Sequence, residues 1–372
     1  MSITITEFTA DHLEAVVHFN ERLRSGGMHT QFPESPVPLW LPPAAGRPVY
    51  QEYFVALDDE AVVRGAYILK HQDFKIKDRV VSVGDFELPI SEGTVDRKYS
   101  NIASRLLFNA IGRQPLLYGL GMGGYDEAVA RLFTAARWLM FTVPFFFKVI
   151  HPTRFCRNIT ILRRSPLKRI VLDLAAWTGL GWLGVKTVQA IRDKRMAAAA
   201  SVTVESVDEF GPWADDIWEA CGDDYGMIAL RSCDVLRVLY PREDPRFIRL
   251  KVHEGERLLG WAVMLDTQMS KHRQFGAMRV GSFVDGLASA SDAGKVVSAA
   301  TTHLERQGVD LIVSNQSHAA WCSAFSAAGF LRGPSNFLFG GSRKLAELLK
   351  SQGVESDQIY LNRGDGDGPI NL

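Results

Sequence analysis

Val55–Leu69 reads VALDDEAVVRGAYIL and Lys251–Leu265 reads KVHEGERLLGWAVML, and the two stretches share one plan. Each is an apolar run, an acidic break and a second apolar run, the pattern of two strands joined by a turn. Gly65 and Gly260 hold the same place in the second run, 195 residues apart. One match of this kind arises by chance, so the flanking sequence decides whether the chain contains a repeat.

Downstream, VGDFELPIS from Val83 and VGSFVDGLAS from Val280 both alternate apolar residues into a small-residue loop, with Gly84 and Gly281 197 residues apart. NIASRLLFNAIG and GKVVSAATTHLERQG follow with apolar residues at helical spacing, and their closing glycines, Gly112 and Gly308, are 196 residues apart and placed for C-caps. PLLYGLG and VDLIVSN read as short strands. Second helices then end in FTAARWL and FSAAGFL, where Phe133 and Phe325 are 192 residues apart. Upstream, TITEFTADHLEAVVHFNERL and VTVESVDEFGPWADDIWEAC each set a strand before an amphipathic helix.

Four landmarks in one order at nearly constant offset predict a tandem duplication. Each unit reads strand, helix, hairpin, strand, helix, strand, helix and closing strands. The expected fold class is α/β, an α+β mixed sheet in each of two tandem domains, 1–150 and 201–372, joined by a basic amphipathic connector over 151–200.

Composition agrees with two cores. The chain has 372 residues, 47% of them hydrophobic, and single cores stop growing at roughly 250 to 300 residues. Lys plus Arg and Asp plus Glu both total 42, so no overall field draws the chain to nucleic acid. Cys156, Cys221, Cys233 and Cys322 form no CxxC pair or zinc knuckle. The N-terminus lacks the pattern of a signal peptide. Ile170–Val185, the longest weakly charged apolar stretch, is shorter than the roughly 20 residues that span a bilayer. The expected location is cytoplasmic.

The element order, together with HAAWCSAFSAAGF, resembles the acyl-CoA-dependent N-acyltransferase (GNAT) family. That stretch is similar to the family segment Asn-x-x-Ala-x-x-x-Tyr-x-x-x-Gly-Phe ending at Gly329 and Phe330, with His318 at the Asn position and Phe325 at the Tyr position. The resemblance implies a central strand that parts from its neighbour to admit the pantetheine arm of acyl-CoA or acetyl-CoA as co-substrate, with no metal. The family Tyr is a frequent proton donor to the leaving CoA thiolate, and Phe133 and Phe325 stand where it would be. The loops SEGTVDRKYSN and ASASDAGK also depart from the family's Gln/Arg-x-x-Gly-x-Gly/Ala pyrophosphate signature.

The second repeat is the expected cofactor site. Ser289, Ser291, Asp292, Ala293, Gly294 and Lys295 lead small residues into a helix whose free amides and positive dipole end suit a diphosphate. The alternative is that Asp292 merely caps that helix. Asn315 and His318 complete the expected cofactor set. For chemistry, Glu87 and Asp285 take nearly equivalent places at the ends of their strands, and a strand-borne carboxylate beside an acyl group can take the proton of an attacking amine or hydroxyl. Asp85, two residues from Glu87, shares its strand face. Glu92 and Tyr99 lie in a polar loop suited to a hydroxylated or amino acceptor, although a solvated loop would read the same way. RSCDVLRVLYPREDPRF, from Arg231, and IYLNRGDGDG, from Ile359, look like segments of acyltransferases encoded beside cell-surface polysaccharide genes, and Arg231 is taken as substrate-binding on that likeness.

Two further stretches carry expectations. GLGMGGYDE, from Gly119, lacks a P-loop's Lys-Ser/Thr and reads as a strand bulge. Asp365 and Asp367 in RGDGDG read as a turn or tail. Between Lys148 and Arg195, eleven basic residues face Asp173 and Asp193, interleaved with Trp177, Trp182 and a Phe run at Phe145. Such a span suits an anionic membrane surface or a connector helix packed between domains.

The expected function is acyl transfer from acyl-CoA to an amino or hydroxyl acceptor, a small molecule or a lipid-linked sugar in polysaccharide assembly, at the inner face of the membrane through 148–195. Tandem arrangements are also similar to Fem-type aminoacyl transferases, for which charged tRNA is the partner. The remaining alternative is a degenerate GNAT-fold binding or scaffold protein.

Overall fold

The structure is a computed structural model that describes residues 2–160, 202–272 and 274–366. In chain order it carries β1 (Thr4–Glu7), α1 (Leu13–Ser25), β2 (Tyr50–Leu57), β3 (Val63–Ile76), β4 (Arg79–Ser91), α2 (Ile102–Arg113), β5 (Leu117–Leu120), α3 (Ala128–Ala135), β6 (Leu139–Thr142), β7 (Phe145–Val149) and α4 (Pro152–Asn158). It continues with β8 (Val202–Val207), α5 (Trp213–Cys221), β9 (Met227–Ala229), α6 (Cys233–Leu239), β10 (Ile248–Glu254), β11 (Arg257–Gln268), β12 (Arg279–Ala288), α7 (Ala293–Gln307), β13 (Leu311–Asn315), α8 (Ala319–Ala327), β14 (Leu331–Gly333), β15 (Leu338–Gly341), α9 (Arg343–Ser351) and β16 (Ile359–Tyr360).

The fold class is mixed α/β. The chain forms two units, the first Met1–Thr142 with Asn336–Glu355, the second Val143–Ser335 with Ser356–Leu372. The first unit's sheet runs β1-β2-β3-β4-β5-β15-β6 and the second's β8-β10-β11-β12-β13-β7-β14. Within each path only the central pair, β4 with β5 or β12 with β13, is parallel. The duplicated order read from the sequence is therefore present along both seven-strand paths, while β9 and β16, parallel to each other, have no counterpart in the first half.

The boundaries differ from contiguous halves, because β7 and β15 are exchanged: each closing strand is built into the sheet of the unit formed mainly by the other half. The links before them explain this. Val143-Pro144 and Gly333-Pro334-Ser335-Asn336-Phe337 contain no primed-turn dipeptide. Proline also holds the residue before it extended, so the chain runs on instead of folding back as a tight hairpin.

In the first unit, α2 and α3 cover a sheet face of Phe54, Tyr67, Leu69 and Phe86. On the opposite face, Val16, Phe19 and Leu23 of α1 cover Val55, Ala66 and Ile68. Gly308 ends α7 in the left-handed region at φ +82° as expected, whereas Gly112 lies inside α2, which closes on the extended Gln114. GLGMGGYDE is not a strand bulge: β5 stops at Leu120, and Gly121, Gly123 and Gly124 turn with positive φ.

Both central pairs come apart. β4 and β5 register only at Gly84↔Leu117 and Asp85↔Tyr118, and β12 and β13 only over Val280↔Leu311, Gly281↔Ile312 and Ser282↔Val313. The ladder shifts between Ala66 and Ile68 opposite β4 and between Val263 and Met264 opposite β12, and such irregularities bend a strand and increase its twist. Leu88 sits in the first irregularity at φ +47°, followed by Pro89, which has no amide to donate.

The expected basic connector is only partly described. Phe145–Val149 is β7 of the second unit, where Lys148 is buried and bonded to the Ala328 carbonyl at 2.9 Å and paired with Glu305 at 3.2 Å. Residues 161–201, with most of the basic and tryptophan positions, lie outside the described residues. Among the described residues no helix is long and apolar enough to cross a membrane.

Candidate functional site

Glu87 and Asp285 occupy matching positions: they pair with Ile68 and Val263, each three residues beyond the matched glycines Gly65 and Gly260. Their surroundings differ. Gln51, Lys70 and Asp85 form one cross-strand row over β2, β3 and β4, so their side chains share a face. Glu87 lies one row further along that face. Lys70 Nζ stands 3.3 Å from Glu87 Oε1 and 3.6 Å from Asp85 Oδ2, and Gln51 Nε2 donates to Glu87 Oε2 at 2.5 Å. All four side chains are buried. Trp40 lies with its ring 5.6 Å from the Lys70 ammonium.

Two neighbours extend this cluster. Tyr53, on β2 opposite Ile68, has its hydroxyl pushed up to about 12, by burial first and by the Glu87 charge second, so it keeps its proton through the physiological range. Gln72, two residues beyond Lys70 on the same face, is 1% exposed and neither its amide nitrogen nor its amide oxygen has a partner. Sequence reasoning placed Glu87 and Asp85 here and missed Lys70, Gln51, Gln72 and Tyr53. The signal was available: Lys70 and Gln72 continue the alternate positions held by the inward Ala66 and Ile68 of the same strand.

The first unit's loop is more ordered than a solvated loop. Glu92 is buried and takes Arg22 Nε at 3.0 Å and Arg64 Nη1 at 3.1 Å, while Arg64 also holds Asp58 at 2.7 Å. Arg64 lies 4.4 Å from the Tyr99 ring. Glu92 and Tyr99 thus brace the loop, and both of Glu92's oxygens are taken by arginines. The loop delivers Asn101 to the start of α2, where it makes no side-chain cap.

In the second unit Asp285 is completely buried and saturated. Its Oδ1 accepts from Gly286 N at 2.8 Å and Asn362 Nδ2 at 2.7 Å, and its Oδ2 accepts from the Tyr240 hydroxyl at 2.8 Å and lies 2.8 Å from Arg231 Nε. Arg231, also completely buried, reaches Asp365 Oδ1 at 2.6 Å. Against the opposing pull of burial, these two carboxylates hold the Arg231 guanidinium well above its ordinary pKa. Arg231 is a structural cation here, inaccessible to substrate. Asp365 sits in a short 3-10 turn, Arg363–Asp365, as RGDGDG suggested, but that turn is buried in this network and is no tail, and Asp367 lies outside the described residues.

The loop 289–295 does not form a phosphate cradle. Asp292 takes Arg257 through both oxygens, at 3.0 and 3.1 Å, and Lys295 is held by Glu254 at 2.7 Å. The Ala290 amide donates to Asp224 at 2.9 Å, and Ser289 and Ser291 bond each other at 2.9 Å. A carboxylate therefore already holds an amide within the loop, with Ala293 and Gly294 following it into α7. Asn315 accepts from Arg363 at 3.1 Å; His318 is buried against the Tyr225 ring at 4.8 Å, with burial lowering its pKa.

The family Tyr position is filled by packing in both units. Phe133 stacks on Trp138 at 3.9 Å, and a Cβ at Gly119 would lie 2.7 Å from its ring. Phe325 packs edge-on to Phe283 at 5.2 Å. Among the described residues no three His, Cys, Asp or Glu side chains gather as a metal site.

No protein-family model matches the chain. No curated protein matches it by sequence either. Solved structures do share its fold. A GCN5-related N-acetyltransferase from Anabaena variabilis superposes at TM-score 0.51 with 10% identity, covering 91% of this chain and 72% of that one. A probable N-acyltransferase from Enterococcus faecalis gives TM-score 0.51 with 8% identity, over 91% and 72%. N-myristoyltransferase of Saccharomyces cerevisiae with bound myristoyl-CoA gives 0.51 with 10% identity, over 92% and 82%. The chain is thus structurally similar to acyl-CoA-dependent N-acyltransferases.

Proposed function

We propose that the chain transfers an acyl group from acyl-CoA to an amino or hydroxyl acceptor, and that the reaction runs in the first unit with Glu87 as base. One observation carries this reading. Glu87 lies just past Asp85↔Tyr118, where β4 and β5 cease to pair, and Lys70 and Gln51 fix its carboxylate beside that opening. Glu87 takes the proton of the acceptor nitrogen or oxygen as that atom attacks the thioester carbonyl. The new C–N or C–O bond forms, the C–S bond breaks, and the CoA thiolate leaves and is protonated. Tyr53 is a neutral phenol near Glu87, and Phe133 has no proton to give. The start of α2 is the diphosphate end of the site.

The acceptor class comes from the resemblance to acyltransferases of polysaccharide gene clusters: a sugar amine or hydroxyl, free or lipid-linked. Calorimetry with acetyl-CoA and palmitoyl-CoA tests the donor, and binding of neither would leave a scaffold protein or a user of charged tRNA. The Phe residues at both family Tyr positions favour the scaffold reading. CoA thiol release over a panel of amines and sugars then tests the base. Glu87→Gln is expected to lower turnover roughly a hundredfold or more while acyl-CoA affinity is kept, and full turnover in that variant clears Glu87 of the role.

A further inference from the structure

The opening between β12 and β13 in the second unit is occupied. Past Ser282↔Val313 the strands are tied once more, by Ser314 Oγ donating to the Phe283 carbonyl at 3.0 Å, and then separate. Residues Ile359–Asp365 run into the gap and bond to both of its sides. On the β12 side, the Tyr360 hydroxyl donates to the Gly286 carbonyl at 2.5 Å and Asn362 Nδ2 to Asp285 at 2.7 Å. On the β13 side, Gln316 and Asn362 form an antiparallel bridge, Ser317 N donates to the Leu361 carbonyl at 3.1 Å, and Leu361 N donates to Ser317 Oγ at 2.8 Å. Arg363 reaches Asn315 at 3.1 Å and Asp365 reaches Arg231 at 2.6 Å.

We propose that this opening is a polypeptide-binding site filled in cis by Ile359–Asp365, and that the second unit consequently takes no thioester. The statement about thioester rests on the acyl-CoA reading above; the polypeptide site does not.

The fit is specific to this segment. Tyr360 supplies a hydroxyl to the Gly286 carbonyl, beyond the last β12–β13 register pair. Asn362, Arg363 and Asp365 each meet a separate partner of complementary chemistry. Gly364 is required by space: a Cβ there would collide with the Tyr240 hydroxyl and lie 3.2 Å from Asp285 Oδ2. Ile359, Tyr360, Leu361, Asn362 and Asp365 are all at most 1% exposed. An acyl-CoA arm needs the β12 edge and the space beside it, and both are already used. The buried Arg231 charge opposes departure of the segment, since losing Asp365 removes one of its two carboxylates.

The test is hydrogen–deuterium exchange on the full chain, with acetyl-CoA and palmitoyl-CoA as probes, alongside calorimetric stoichiometry. Peptides spanning 356–366 are expected to exchange as slowly as those of β12, with no change when thioester is added, and binding is expected at one thioester per chain. Asp365→Asn and Gly364→Ala should each speed exchange of that segment at least tenfold and leave β2–β4 peptides unchanged. Exchange of 356–366 at the rate of an open loop would overturn the proposal. So would its release by thioester, or two thioesters bound per chain. If neither probe binds, the acyl-CoA reading falls, and the exchange of 356–366 and of the two variants still decides the polypeptide site.

Discussion

Replacing Arg231 with Met strips the cation from a cluster that contains two buried carboxylates. Asp285 and Asp365 are both completely buried, and the Tyr240 hydroxyl, Asn362 and the Gly286 amide beside them are neutral. Breaking a buried pair in this way costs about 3–5 kcal/mol, a large share of the roughly 5–15 kcal/mol that holds a typical domain. The sign with pH follows. Burial first, and the Asp285 charge with it, already raise the folded Asp365 pKa against the pull of Arg231; without the guanidinium that rise is unopposed, so the native state binds protons more tightly than the unfolded chain. The penalty is then full well above the raised Asp365 pKa and shrinks as pH falls through it. Urea midpoints across a pH series measure it, with exchange of β12 peptides locating the loss in the second unit. An Arg231→Met/Asp285→Leu/Asp365→Leu triple variant should recover most of the loss, because apolar side chains of similar volume replace a buried ionic triad without unpaired charge. A loss under about 1 kcal/mol, a loss that does not change with pH, or a triple variant as unstable as the single one would refute the electrostatic account.

Gln72→Met should stabilise the first unit by about 1 kcal/mol or more, since it removes a buried amide that has no partner at either atom; a lowered melting temperature would show that the amide is bonded in solution. Asp58 tells the opposite pH story from the Arg231 variant. Burial raises its pKa, but the Arg64 hydrogen bond and the Val62 and Glu60 amides outweigh burial and hold it below its ordinary carboxylate value. Its stabilisation is present above that value and lost as pH falls through the lower folded one. Asp58→Asn should therefore flatten the acid limb of the first unit's stability below about pH 4, and an unchanged slope between pH 4 and pH 2 would remove Asp58 from the account.

The duplicated topology was legible because hairpins and their following strands are local: the period-two alternation around Gly65 and Gly260 needs no knowledge of the rest of the chain. The exchange of β7 and β15 was not. FFFKV has the same strand character whichever sheet takes it, so nothing within Phe145–Val149 says that β13 and β14 are its neighbours. The same run, set beside arginines, also suggested a membrane surface. The burial of Asp365 was missed for a related reason. RGDGDG has turn composition at short range, and its decisive partner, Arg231, lies 134 residues away.

Glu87 and Asp285 show how far position alone carries chemistry. The sequence matched them, and the register confirms that they stand opposite equivalent residues of equivalent strands. Yet both oxygens of Asp285 are engaged in a cluster closed by Arg231 and Asn362, and acting as a base would require breaking it. Glu87 instead faces Lys70, Gln51 and Tyr53, side chains that come from β2 and β3 of its own sheet and leave the end of β4 to part from β5. Duplication supplied two carboxylates at one site of the fold. The residues beside each then give them different surroundings: a lysine in the middle of a strand row stands next to Glu87, and a returning segment of chain locks Asp285 into the core.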